Sequence, residues 1–145
     1  MIRINRLTDY AVVVLAEMSR GSDVRTVSRI SADTGVPLPT VAKLMKALAH
    51  GGLVVSHRGA AGGYSLNRNA AAISVADIIE AVEGPIAITA CVDDADDQCG
   101  IEQLCPMHGH WSRINQAIRR SLDGISLAEI AAMPVFEPVA AGQPI

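Results

Sequence analysis

Aromatic side chains make up only 3% of the 145 residues, as Tyr10, Tyr64, Trp111 and Phe136. These rings are too few for the stacking platform on which single-stranded nucleic acids are held, which argues against an RNA-recognition or single-strand function. Long apolar runs are missing too. The stretch from Ala11 to Ala16 stops at Glu17, short of a signal-peptide core and far short of a membrane span, so the expectation is a cytoplasmic protein with no membrane contact. Cysteine is scarce, with three residues, an odd count that argues against a disulfide framework and towards metal or redox chemistry. Internal repeats are absent. What the chain does have is 50% hydrophobic and 19% charged residues, enough for one compact domain with a sizeable core.

The net charge of -3 hides an asymmetry. Residues 1–70 carry nine Lys or Arg against four Asp or Glu, whereas residues 71–145 carry three against eleven. A basic N-terminal half suits a phosphate backbone, because each cation placed near a phosphate releases condensed counterions.

Apolar spacing and punctuation lay out the elements. Leu7, Ala11, Val14, Leu15 and Met18 fall on one helical face behind Thr8 and Asp9, which suit a helix start, and Gly21 ends that helix. A shorter helix runs from about Thr26 to Thr34, with Val27 and Ile30 inward and Gly35 as its stop. Pro37 and Pro39 prevent continuation, and Pro39 is tolerated at a first helical position. A third helix follows with Val41, Leu44, Met45 and Leu48 inward and Thr40, Lys43, Lys46 and His50 outward. Leu53 to Ser56 and Tyr64 to Asn67 read as a hairpin around a Gly-rich turn carrying Arg58. This order is that of a winged helix-turn-helix: a mostly α fold with a small β wing. Ser74 and Asp77 open a fourth helix that Gly84 and Pro85 close, with Val75, Ile78, Ile79 and Val82 inward. Trp111, Ile114, Ile118 and Leu122 mark a long helix expected from near Pro106 to Asp123, whose surplus apolar stripe suggests a dimer seam. Ser126 to Glu129 caps a last short helix, and residues from Pro134 onward read as an extended tail.

Cys91, Cys99 and Cys105 lie within fifteen consecutive residues, and His108 follows Cys105 by three, one helical turn. Soft thiolates gathered near an imidazole can hold zinc or an iron–sulfur cluster, and on spacing alone the two are level. Buried free thiols would be the plain alternative, but this acidic, Gly-containing loop offers little apolar environment. Asp93, Asp94, Asp96 and Asp97 do not follow the alternation of an EF-hand and read as solvated loop.

The segments RLTDYAVVVLAEM, RGAAGGYSL and SVADIIEAVEGPI, with the three-cysteine loop, resemble the iron–sulfur winged-helix transcription regulators of the IscR/NsrR type, over residues 1 to about 133. VPLPTVAKLMKALAHGGLVVSHRGAAGGYSL and CGIEQLCPMHGHWSRINQAIRRSLDGISLAEIA look most like the branch that regulates SUF iron–sulfur assembly operons. The resemblance implies a homodimer, partly palindromic double-stranded DNA as partner, and an iron–sulfur cluster whose state changes DNA binding. It implies Cys91, Cys99 and Cys105 as ligands. His108 matches the fourth ligand of [2Fe-2S] members, and Asp9 matches the carboxylate that some members supply from the partner subunit to a [4Fe-4S] cluster. Seven residues separate Cys91 from Cys99 instead of the usual five; [2Fe-2S] with His108 is the preferred reading. Recognition-helix positions fall on Pro39, Thr40, Ala42 and Lys43, and the wing arginine on Arg58, suited to a narrow minor groove. Lys46 and Arg3 suit phosphates.

The expected division is 1–84 for the DNA-binding region, 85–109 for the cluster-binding loop, 110–133 for the dimerisation helix with a short C-terminal helix, and 134–145 for the tail. The expected function is a cluster-sensing regulator that represses iron–sulfur assembly genes. Rivals are a nitric-oxide or redox sensor and a zinc-structured regulator. An enzyme using a Cys105 thiolate with His108 lacks a third group and a substrate-binding motif, and electron transfer would leave the winged region without a purpose.

Overall fold

A computed structural model of the chain describes residues 2–92, 100–101, 104–107 and 109–132. Within these, α1 (Arg6–Met18), α2 (Val27–Thr34) and α3 (Leu38–His50) lead into strands β1 (Val54–His57) and β2 (Gly63–Leu66). A 3-10 turn at Ala70–Ala72 precedes α4 (Val75–Glu83), α5 (His110–Asp123) and α6 (Leu127–Ala132). The fold is mostly helical with a small two-stranded antiparallel sheet, as expected.

Two helix starts differ from the sequence reading. Asn5, in extended conformation, caps α1 by accepting the Leu7 amide at 3.1 Å, so Thr8 and Asp9 lie inside the helix. The Thr8 hydroxyl has other work: buried at 1% exposure, it donates to the Glu83 carboxylate on α4, which also accepts the Asn5 amide at 3.1 Å. The long helix α5 begins at His110, after Gly109 in the left-handed region at φ 79°, and not near Pro106. Smaller shifts occur elsewhere. Leu38 rather than Pro39 is the first residue of α3, and β1 extends to His57.

The α2–α3 turn follows from its residues. Thr26 caps α2 through its side chain, and Gly35 ends it at φ 75°, a conformation that costs glycine little. Pro37, extended, then admits α3. The wing is widened by a contribution the sequence did not announce: Arg25, between α1 and α2, pairs with Tyr64 through reciprocal backbone bonds of 2.9 and 2.8 Å. That approach explains Gly63, because a side chain there would overlap the Arg25 carbonyl.

One core unites these elements. Ala11, Val14 and Leu15 of α1, Ile30 of α2, Val41, Leu44, Met45 and Leu48 of α3, Ile78 of α4 and Leu127 of α6 form a buried cluster. Apolar burial of this kind contributes about 1.5–3 kcal/mol for each large side chain, opposed by chain entropy. The capping box expected at Ser74 and Asp77 is complete, and Ser74 does more. Its hydroxyl accepts the Asp77 amide at 3.1 Å and donates to Asp123 of α5 at 2.9 Å. Beside it, Val75 donates its amide to Ile125 at 2.9 Å and Leu127 donates to Ile73 at 2.8 Å. These bonds fasten the α5–α6 link to the start of α4. Ser126 and Glu129 cap α6 reciprocally, and the Ser126 backbone and hydroxyl bonds hold the Glu129 carboxyl below its ordinary value.

Ser74→Ala removes the cap and leaves Asp123 without its donor, so stability should fall by about 1–2 kcal/mol. Urea denaturation should show a lower midpoint with an unchanged slope.

Candidate DNA interface and cysteine segment

The outward face of α3 is set by what its inner face buries. With Val41, Leu44, Met45 and Leu48 in the core, Pro39, Lys43 and Lys46 are exposed, and Thr40 and Ala42 are half-buried at the edge. β1 packs against α3, which carries the wing next to that helix. The wing tip is tight: Gly62 donates to the Gly59 carbonyl at 2.9 Å, and Gly59 sits at φ 97°. Arg58 is exposed on it, and below it His57 Nε2 lies 2.8 Å from the Ser65 hydroxyl.

Ion pairs divide the cations of the basic half. Arg20 pairs with Glu17, Arg25 with Glu17 and Asp33, Arg29 with Asp33, and Arg68 with Asp77. Lys43, Lys46 and Arg58 make no ion pair among the described residues. Their charge is therefore available to an external anion on the helix and wing that a winged helix-turn-helix presents to DNA. Arg3 is placed differently. It lines a cavity of about 290 Å³ with Ile2, Ile4, Ile79, Glu83, Ile118 and others, beside α4 and α5.

In the cysteine segment, Cys91 and Cys105 are free and half-buried. The Cys91 sulfur lies 3.2 Å from the Thr89 hydroxyl, next to buried Val92. Cys99 and His108 lie outside the described residues, as do Asp93, Asp94, Asp96, Asp97 and the tail from Pro134. Asp9 is exposed on α1, donating its amide to the Asn5 carbonyl at 3.1 Å. Among the described residues no three His, Cys, Asp or Glu side chains converge on a metal position. The donors described are thiols outside any disulfide, a chemistry that fits zinc or an iron–sulfur cluster.

The sequence reading missed Asn115. This α5 side chain is only 4% exposed. Its Nδ2 donates to the Ile86 carbonyl at 2.7 Å and its Oδ1 accepts the Ile88 amide at 3.0 Å, so the chain leading into Cys91 is clamped to α5. A signal was available, since Asn115 interrupts the apolar spacing of Trp111, Ile118 and Leu122 with a polar residue. One turn on, Arg119 forks onto Glu80 of α4 at 2.8 and 3.1 Å. That bond, with the carboxylate charge, holds the guanidinium above its ordinary value.

A mostly helical chain with a helix-turn-helix, a two-stranded wing and unpaired cations on both is a winged-helix DNA-binding protein. A sequence profile of the Rrf2 family, described as iron-dependent transcriptional regulators, matches residues 4–133. The chain belongs to the Rrf2 family: it is a DNA-binding transcriptional regulator and not an enzyme. It is 35% identical over 125 residues to the HTH-type regulator ORF2 of Azotobacter vinelandii, spanning 85% of this chain and 75% of that one. It is 31% identical over 123 residues to the HTH-type transcriptional regulator IscR of Klebsiella pneumoniae, spanning 83% and 74%. Among solved structures, CymR, the global cysteine regulator of B. subtilis, superposes with a TM-score of 0.68 at 28% identity, over 91% of this chain and 98% of that one. Among the described residues no helix is long and apolar enough to cross a membrane.

Arg58→Ala should weaken specific DNA binding by about 1–3 kcal/mol, whereas Lys46→Ala should lower affinity for all sequences alike and flatten the salt slope by about one unit. Electrophoretic titrations at several salt concentrations separate the two, and unchanged binding by both variants contradicts this interface. Asn115→Leu strands the Ile86 carbonyl and Ile88 amide at a cost of about 1–3 kcal/mol. Hydrogen exchange at Ile88 should accelerate while amides of the α3 core keep their protection.

Proposed function

We propose that this regulator senses iron–sulfur cluster supply and represses iron–sulfur assembly (SUF) genes, binding partly palindromic double-stranded DNA as a homodimer. The observation that carries the reading is the pair of free thiols, Cys91 and Cys105, the first of them three residues beyond the stretch from Ile86 to Ile88 that Asn115 clamps, in a chain of a family described as iron-dependent regulators. Cys91, Cys99, Cys105 and His108 would hold a [2Fe-2S] cluster, in preference to a [4Fe-4S] cluster completed by Asp9. When bound, such a group supplies a redox-labile cross-link among its ligands.

The proposed division of labour follows the chain: residues 1–84 bind DNA, 85–109 hold the cluster, 110–133 form the dimer contact with the short last helix, and 134–145 extend as a tail. Support for the dimer comes from apolar side chains left open around α5. Ile2, Ile4 and Ile114 are 74%, 52% and 40% exposed, an apolar surface suited to a second copy. The proposed base contacts are Thr40, Lys43 and Arg58 with the apolar Pro39 and Ala42, and the proposed phosphate contacts Lys46 and Arg3.

Chain-borne contacts supply a route between the two sites. Asn115 ties residues 86–88 to α5, Arg119 ties α5 to α4, and Gly51 at the end of α3 lies so close to Ala81 of α4 that an added methyl would sit 2.7 Å from its Cβ. Ordering or release of the cysteine segment can thereby bias the setting of α3. The likeness to CymR favours a second reading, in which the same frame answers a different signal, nitric oxide or redox state among them.

Protein prepared without oxygen should absorb in the visible and contain iron and sulfide, whereas a colourless protein with bound zinc supports a zinc-structured regulator. Replacing Cys91, Cys99 or Cys105 by Ala should abolish stable cluster binding while leaving the fold. His108→Ala should shift the spectrum and Asp9→Ala leave it nearly unchanged. A spectrum altered only by Asp9→Ala rejects His108 as ligand.

A further inference from the structure

The reading end of α3 is poor in hydrogen-bond donors. Leu38 is its first residue and stands 47% exposed. Pro37 and Pro39 flank it, both exposed, and each lacks the amide hydrogen that would otherwise point from a helix start towards an acceptor. Ala42 lies one turn on from Leu38, and only Thr40 brings a side-chain hydroxyl to this turn. Lys43 and Lys46 follow towards the C-terminal end, so the exposed face is apolar where it begins and cationic further on. A single exposed leucine is ordinary on a protein surface. What distinguishes this one is its place, since the N-terminal residues of the second helix of a helix-turn-helix meet base edges in the major groove.

Base edges there offer acceptors, amino donors and, on thymine alone of the four unmodified bases, a methyl group. An apolar head gains nothing from the acceptors and leaves them without partners, but it removes a methyl from water. The two prolines also fix the backbone on either side of Leu38, so less freedom is lost on contact. We propose that Leu38 is a specificity-determining residue that reads thymine methyl groups in each half-site, while Lys46 supplies charge without that discrimination. This rests on α3 being the helix that enters the groove.

The test uses the full-length protein and the duplexes it selects from a randomised library. Deoxyuridine is placed at each selected thymine in turn, deleting the methyl group and leaving base pairing intact. At one thymine of a half-site, the replacement should weaken wild-type binding about fourfold, the effect of withdrawing one methyl-sized group from burial. Leu38→Ala, which alters both subunits of the proposed homodimer, should bind the unmodified duplex about as weakly as wild type binds a duplex with deoxyuridine at that position in both half-sites, and should lose nothing further from deoxyuridine. Its affinity for unrelated duplex should match wild type, which reports an intact fold; Leu38→Met, which keeps an apolar side chain of similar size, should retain the thymine dependence. Deoxyuridine without effect on wild type at every position, or with equal effect on wild type and Leu38→Ala, overturns the inference. Lys43→Ala separates the underlying reading: if it too leaves binding unchanged, α3 does not enter the groove, and if it weakens binding while deoxyuridine does not, only the role of Leu38 is lost.

Discussion

Ala11, Val14 and Leu15 are removed from water entirely, and the helix that carries them touches α2, α3, α4, α6 and β2. Burial of this one face of α1 constrains everything else, because each neighbour takes its position from it. Helix α3 turns Lys43 and Lys46 outward because Leu44, Met45 and Leu48 are committed to the same core. Thr8, at the edge of that face, binds Glu83 and fixes where α4 ends, and the segment leading to Cys91 departs from there. The hydroxyl and carboxylate are worth little beside the apolar burial, but they set direction where burial sets only proximity.

Charge is distributed by subtraction. Exposed ion pairs contribute about 0–1 kcal/mol each, so those of Arg20, Arg29 and Arg68 add little stability. Their consequence is spatial: they cancel charge around α2 and the start of α4 and leave it uncancelled on α3 and the wing. A net count of the basic half therefore understates how localised its field is. The same economy of partners holds at Arg119 and Asn115, where polar groups of α5 are spent on fastening α4 and residues 86–88.

Much of this was legible in the sequence, for definite reasons. Apolar spacing identified α1, α3, α4 and α5, and Gly35, Pro37 and Gly84 marked boundaries because local backbone geometry decides them. Ser74 with Asp77 announced a capping box that is complete in the fold. The failures share a cause. Thr8 was read as a local cap, but its hydroxyl is claimed by Glu83, 75 residues away. Arg25 looked like one more cation, yet its backbone completes the wing opposite Tyr64, a pairing no local pattern encodes. Asn115 carried a polar break in an apolar stripe, but its partners are backbone groups 27 and 29 residues distant. Family membership came from motif order; the signal sensed did not, since a family described as iron-dependent and a global cysteine regulator share this frame.

If the state of the cysteine segment governs DNA binding, as proposed, one comparison reads that coupling directly. A single preparation, kept free of oxygen, is divided; one portion is stripped of iron by a chelator, and both are titrated against the same selected operator at the same salt concentration. The two portions should differ in affinity by about five-fold or more, the lower end of typical coupling between sites, and should not differ on unrelated duplex. Equal affinity of both portions for the operator would rule the coupling out.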